Sequence, residues 1–279
     1  MTEIIKIIIL GIVQGATEFI PVSSSGHLVI IPWILGWARE PEASLLVETV
    51  LHWGTLLAIL IIFWRDFWQM IIAVFRSIAT RSLTDRNARL GWFLVIGSIP
   101  AAILGLLFKD FVESLFASPV AAGGFLLVTG ALLLSSEWLS RNLQARRALS
   151  EIKWMDSIII GCAQALALAP GISRSGTTIA AGLICGIRRE DAARFSFLLG
   201  TPVFFGAGLL QILDALAVDS TQITEQWLIL AIGFVVSAIT GFIAIRFLLN
   251  YLRDNTLYPF AIYCFVVGLS VIGLGTFVW

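Results

Sequence analysis

Residues 157–187 read SIIIGCAQALALAPGISRSGTTIAAGLICGI, two short apolar runs separated by Pro170-Gly-Ile-Ser-Arg-Ser-Gly176. Neither run is long enough to cross a bilayer, which takes about 20 apolar residues. The interruption also carries Arg174, a residue that costs about 2.5–3.5 kcal/mol at a bilayer centre on insertion scales. Non-helical backbone at membrane depth must be buried in protein or line a cavity. A helical hairpin that enters and leaves on one side of the membrane meets both conditions. Residues 4–36 repeat the pattern, with their break at Pro21-Val-Ser-Ser-Ser-Gly26.

The rest of the chain supplies the membrane around these hairpins. Its 279 residues are 58% hydrophobic and 13% charged, with a mean hydropathy of +0.95. A soluble domain carries about 25% charged residues, so most of this surface faces something other than water. Six stretches are predicted to span fully: roughly 47–64, 90–108, 119–138, 194–216, 226–249 and 257–278. The fold class is therefore an all-α integral membrane protein of six transmembrane helices plus two re-entrant hairpins. Basic and acidic residues balance at 18 each, which argues against nucleic acid as a general partner. The three cysteines have no metal-ligand spacing and read as small hydrophobes, and the ten tryptophans as an interfacial belt. The N-terminus lacks a cleavable leader pattern and is expected to stay in the mature protein.

Arginines orient the layout. The connection 65–89 holds Arg65, Arg76, Arg81, Arg86 and Arg89, and 139–156 holds Arg141, Arg146, Arg147 and Lys153. By contrast, 214–225 carries Asp214, Asp219 and Glu225 without a basic residue. The positive-inside rule puts the basic connections in the cytoplasm, the first hairpin entering from outside and the second from inside. The chain then forms a single polytopic domain, 1–279, of two inverted repeats at about 1–138 and 156–279. A faint echo supports this: Gln14 leads to Pro21 and Ser-Ser-Ser-Gly, and Gln164 to Pro170 and Ser-Arg-Ser-Gly. Broken helices at matching positions of inverted repeats point to a site near the midplane.

The breaks carry the chemistry. Gln14 and Glu18 are four apart, share a helical face, and offer the oxygen ligands that Mg²⁺ or Ca²⁺ prefer. Glu18 can also be read as an interfacial carboxylate reaching water. Ser23, Ser24 and Ser25 are candidate helix caps as well as candidate hydroxyl groups for chemistry. His27 follows them within expected reach of the carboxylate, as a nucleophile or general base, or else as a satisfied core histidine. Arg174, flanked by Ser173 and Ser175, suits a phosphate gripped by its fork at a helix start, or else an arginine–carboxylate pair that locks the hairpins together. Gly171 and Gly176 allow close backbone approach. Asp156 reads as a cap before a helix beginning at 157, and Glu48 with His52 as either a second layer around the site or a buried pair. Together these groups suit phosphoryl transfer or hydrolysis, where positioning and charge neutralisation dominate.

Gln14-x-x-x-Glu18-Phe-Ile-Pro-Val-Ser-Ser-Ser-Gly-His27 and Pro170-Gly-Ile-Ser-Arg-Ser-Gly-Thr-Thr178 resemble the two signatures of the undecaprenyl-diphosphatase, or bacitracin-resistance, family. The likeness extends through Phe195-Ser-Phe-Leu-Leu-Gly-Thr-Pro202 and Pro259-Phe-Ala-Ile-Tyr263. It implies hydrolysis of undecaprenyl diphosphate to the monophosphate carrier used in bacterial cell-wall synthesis. It further implies a divalent cation, a multi-pass protein of the bacterial plasma membrane, and a site open to the extracytoplasmic side; a homodimer is compatible with it. Carried over, Glu18 and Gln14 are metal ligands, and Glu18, Ser24 and His27 are catalytic. Ser173, Arg174, Ser175, Thr178 and Gly171 bind the diphosphate. Many members have Glu at the position of Gln14, so Glu18 must carry the acid–base part. The alternative is a transporter or flippase for the lipid phosphate. Phosphatidic-acid-type phosphatases need a second downstream histidine, and none follows His52.

Overall fold

Lipid leaves a backbone no water to bond with, so the apolar runs close their hydrogen bonds internally as helices. The computed structural model describes residues 3–37, 41–108, 118–142, 147–218 and 221–277. In chain order the helices are α1 Glu3–Phe19, α2 Ser24–Ile34, α3 Pro41–Thr80, α4 Arg86–Leu107, α5 Pro119–Asn142, α6 Trp154–Leu166, α7 Arg174–Ile184, α8 Arg189–Val218, α9 Thr221–Asp254 and α10 Tyr258–Phe277. Six of these (α3, α4, α5, α8, α9 and α10) are long and apolar enough to cross a membrane, and each overlaps one of the predicted spans over most of its length. No β-strand occurs among the described residues.

The element boundaries differ from expectation at two charged ends. The first span was expected to stop at residue 64, but α3 bends at Phe63 (φ −106°, ψ 19°) and continues helically to Thr80. Met70, Ala73 and Ser77 keep a buried face at helical spacing, while Trp64, Trp68, Ile71, Ile72 and Phe75 stay exposed. The arginines of that segment therefore ride on a helix rather than on a loop, which is confined to the residues around Arg81–Asp85. Likewise α6 starts at Trp154, not 157. Asp156 lies inside its first turn and accepts from the Lys153 N–H at 2.8 Å, so it caps from within. Arg146 and Asp219, used above to orient the loops, lie outside the described residues, as do the side chains of Asp214 and Glu225.

Helix packing brings the two broken pairs, α1–α2 and α6–α7, together. α1 lies on α9 and α3, α2 on α5, α6 on α4, and α7 between α5 and α8. The α4–α6 contact is a backbone-to-backbone approach: a Cβ at Gly161 would collide with the carbonyl of Gly97. Membrane helices associate through such small residues because burial from water does not drive them. Buried polar pins fix the charged end. Glu137, fully buried, accepts two bonds from Arg189 (2.6 and 2.7 Å) and one from the Leu257 N–H (2.8 Å). Arg147 reaches Asp156 at 2.5 Å and the Cys185 carbonyl at 2.9 Å. The hydrogen bonds it donates to the Asp156 carboxylate hold the Arg147 guanidinium above its ordinary pKa.

Candidate functional site

Each break starts a helix with a serine, though by different backbone routes. Between α1 and α2 only four residues intervene, and Ser23 adopts φ 69°, ψ 101°. A non-glycine residue at positive φ is uncommon and costs of order 1–3 kcal/mol. Ser23 offsets this through its Oγ, which accepts from the N–H of Gly26 (3.3 Å) and, across the interface, from that of Gly171 (3.2 Å). Between α6 and α7 the connection is longer, and Ser173 is an ordinary N-cap (φ −70°, ψ 118°) whose Oγ accepts from Gly176 N–H at 3.0 Å. The positive φ falls instead on Gly171 (101°). Thr129 of α5 stitches this turn by donating to the Gly171 carbonyl and accepting from the Ser173 N–H, both at 2.9 Å.

Glu18, in the last turn of α1, occupies the point where the breaks meet. Its side chain is 4% exposed. Oε1 accepts from Arg174 Nη2 at 2.8 Å. Oε2 accepts from Ser24 Oγ at 2.6 Å and from Gln14 Nε2 at 2.8 Å. His52 of α3 brings its Nε2 to 3.6 Å from the same oxygen, with its Nδ1 on the Glu48 carbonyl at 2.8 Å. The hairpin-locking arginine–carboxylate pair foreseen from sequence is therefore present. A pure lock would leave no donor idle, since buried polar groups are normally satisfied. Here Arg174 Nε and Gln14 Oε1 are both buried without a partner. Both belong to residues that bond Glu18, and they make the constellation a candidate site as well as a clasp.

The remaining sequence candidates divide. Ser24 joins Glu18 directly. Ser173 and Ser175 lie side by side, Oγ to Oγ 3.2 Å. Thr178 Oγ1 bonds the Arg174 carbonyl (2.7 Å) and the Ser196 hydroxyl (2.6 Å), which sets the turn that carries Arg174. His27, expected near the carboxylate, instead places Nδ1 on the Ser23 carbonyl at 2.7 Å and Nε2 on the Tyr263 hydroxyl at 2.8 Å. A carbonyl only accepts, so in the neutral ring Nδ1 carries the proton and Nε2 accepts from the tyrosine. The imidazole that faces Glu18 is His52.

Tyr263 and Phe204 were not singled out from sequence. Tyr263 stacks on His27, ring centroids 5.7 Å apart, and Phe204 lies under the Arg174 guanidinium at 4.1 Å. Tyr263 closes the stretch Pro259–Tyr263 already noted for its family likeness, which was the available signal. An aromatic in an apolar span, such as Phe204, carries none.

Comparison with known proteins agrees over nearly the whole chain. The family model described as bacitracin resistance protein BacA matches residues 7–270. A protein of Halothermothrix orenii named undecaprenyl-diphosphatase is 44% identical over 270 residues, 97% of each chain. One of Thermomicrobium roseum with the same name is 43% identical over 95% of each chain. Undecaprenyl-diphosphatase 2 of Stutzerimonas stutzeri is 40% identical over 98% of each.

Proposed function

The chain belongs to the bacitracin resistance protein BacA family, and from that premise we propose that it hydrolyses undecaprenyl diphosphate to undecaprenyl phosphate and inorganic phosphate. The observation that carries the reading is the buried Glu18, bonded at once to a hydroxyl, Ser24, and to an arginine with an idle N–H. The names of the relatives favour hydrolysis over transport of the carrier.

In this reading Arg174 grips the diphosphate. Its Nε and Nη2 lie on one edge of the planar guanidinium, the edge that matches two phosphate oxygens. The N-terminus of α7, where Arg174 is the first residue, adds the positive end of a helix dipole. The Ser24 hydroxyl points at Glu18 Oε2, so Glu18 is set to take a proton released at Ser24 or at a water beside it. His27 acts through the break: its Nδ1 holds the carbonyl of the strained Ser23, which keeps Ser24 aimed at Glu18.

A divalent cation, Mg²⁺ or Ca²⁺, fits the donor set, because the buried Gln14 Oε1 is a free hard oxygen one helical turn from a carboxylate. No group of three or more His, Cys, Asp or Glu that could hold a metal occurs among the described residues. Glu18 and Gln14 would hold the ion together with oxygens of the substrate, as is usual for Mg²⁺. Bound there, it would neutralise charge on the diphosphate.

The same reading makes α1–α2 and α6–α7 re-entrant hairpins of an inverted repeat in the bacterial plasma membrane. The arginines at Arg81–Arg89, Arg141–Arg147 and Arg188–Arg189 then face the cytoplasm, with the site open to the opposite side. The deciding assay is phosphate release from undecaprenyl diphosphate by purified protein, with and without chelator. Release that falls on chelation and returns with Mg²⁺ or Ca²⁺ supports the proposal, and no release with either ion in excess refutes it. For orientation, an impermeant thiol reagent should label a single cysteine at Ser220 but not at Ser82 in intact cells; the reverse pattern inverts the map.

A further inference from the structure

We propose that Ser196, Gly200 and Phe204 of α8 form a positioning cradle that turns Arg174 edge-on toward the substrate. The proposal rests on the reading of Arg174 as the diphosphate ligand. The three residues are four apart, so they share one face of the helix. The guanidinium lies along that face. Nη1 donates to the Ser196 carbonyl at 3.3 Å. Cζ stands 4.1 Å from the centroid of the Phe204 ring, a cation–π distance. Between them Gly200 leaves the space that the guanidinium fills: a Cβ there would collide with Nη1 and come within 2.7 Å of Cζ.

The consequence is geometric. The cradle holds the Nη1 edge, and the opposite edge, Nη2 with Nε, is left facing Glu18. On that edge Nη2 meets Glu18 Oε1, and Nε is buried with no partner. A long, flexible arginine is thereby held in one pose, with the Nε–H of that edge idle for a phosphate oxygen beside the Nη2–Glu18 bond. Thr178 adds to the grip from α7, since its hydroxyl bonds both the Arg174 carbonyl and the Ser196 hydroxyl. Phe204 has a second neighbour in His52, ring centroids 6.0 Å apart, so the same ring borders both groups that approach Glu18 from outside its own hairpin.

The test uses the full-length protein in detergent, with undecaprenyl diphosphate as probe and kcat and KM read separately. Gly200→Ala should lower kcat/KM by roughly 10²-fold, the cost of misplacing a reacting group by about an ångström. Phe204→Leu keeps apolar bulk but removes the ring face, and should raise KM about three- to tenfold with kcat less affected. Phe204→Tyr should restore the parent KM. A merely structural role predicts that leucine and tyrosine behave alike. Phe204→Leu with the parent KM, or Gly200→Ala with the parent kcat/KM, overturns the cradle. If Gly200→Ala does not fold, the leucine–tyrosine pair decides alone. Arg174→Ala separates the two levels. Full turnover in that variant refutes the reading of Arg174 itself, whereas its loss beside a fully active Gly200→Ala refutes only the cradle.

Discussion

The two broken helix pairs use the same spacing for opposite purposes. In each, a glutamine stands nine residues before the capping serine, Gln14 before Ser23 and Gln164 before Ser173. Four residues after the glutamine, the first pair has Glu18 and the second has Leu168. The residue after the cap is Ser24 in one and Arg174 in the other, and both bond Glu18. Gln14 accordingly has a partner for its amide nitrogen, while the buried Gln164 has none for either amide atom. Backbone differences follow from connection length. Residues 20–23 turn the first pair and need a positive φ on a serine, whereas residues 167–173 turn the second with glycine at the strained position. One break has taken the acid and the other the cation. Each is incomplete alone, because a buried charge needs its opposite close by.

That division can be broken most forcefully at Glu18. Glu18→Gln keeps the shape but removes the carboxylate bonded to Arg174, and phosphate release should fall roughly 10²–10⁴-fold, the range for loss of a general base. Retained turnover would mean that the anionic half is not where the chemistry lies. Arg174→Lys keeps the charge and loses the fork. Turnover should drop roughly 10²-fold, and a near-parental rate would reduce the cationic half to a simple counter-charge.

The backbone contrast is sharpened by paired substitutions read by thermal unfolding in detergent. Ser173→Ala should cost about 1 kcal/mol as a lost cap. Ser23→Ala should cost more, because alanine would inherit the positive φ without the two hydrogen bonds that the serine accepts there. Ser23→Gly should recover part of that loss, since glycine adopts positive φ freely. Equal effects of alanine and glycine at position 23 would remove the argument from strain.

The smallest effects concern the two glutamines. Gln14→Glu should leave turnover within a few-fold and lower the concentration of Mg²⁺ or Ca²⁺ needed for half-activity, because a second carboxylate adds charge to a hard-cation site. Gln164→Met should leave both activity and metal requirement unchanged, with stability equal or slightly raised as two unsatisfied buried atoms disappear. A metal requirement that shifts with Gln164→Met would show that the second pair takes part in ion binding.

The part of the site that sequence reasoning located is the part tied to local pattern. Gln14 and Glu18 are one helical turn apart, so their bond follows from spacing alone. Ser173 as the start of α7 follows from a hydroxyl beside a run of small residues. His27 shows where such reasoning stops. Its position four residues after Ser23 sets the Nδ1 contact, but its other nitrogen goes to Tyr263, 236 residues away. Likewise the extension of α3 past Phe63 was hidden because charged residues suggested a loop, although Met70, Ala73 and Ser77 kept the helical period.

From the sequence alone came the membrane class, the six spans, the two interrupted segments and the residues loaded into them. Each depends on the length and period of apolar runs, which the bilayer reads one segment at a time. Only the tertiary structure decided that Glu18 meets Arg174 across 156 residues, that the imidazole beside Glu18 is His52, and that α8 presents a bare glycine under the guanidinium. Those partners depend on how far each helix is rotated and slid against its neighbours. Close contact between small residues sets that rotation, and no single segment's hydrophobic pattern encodes it.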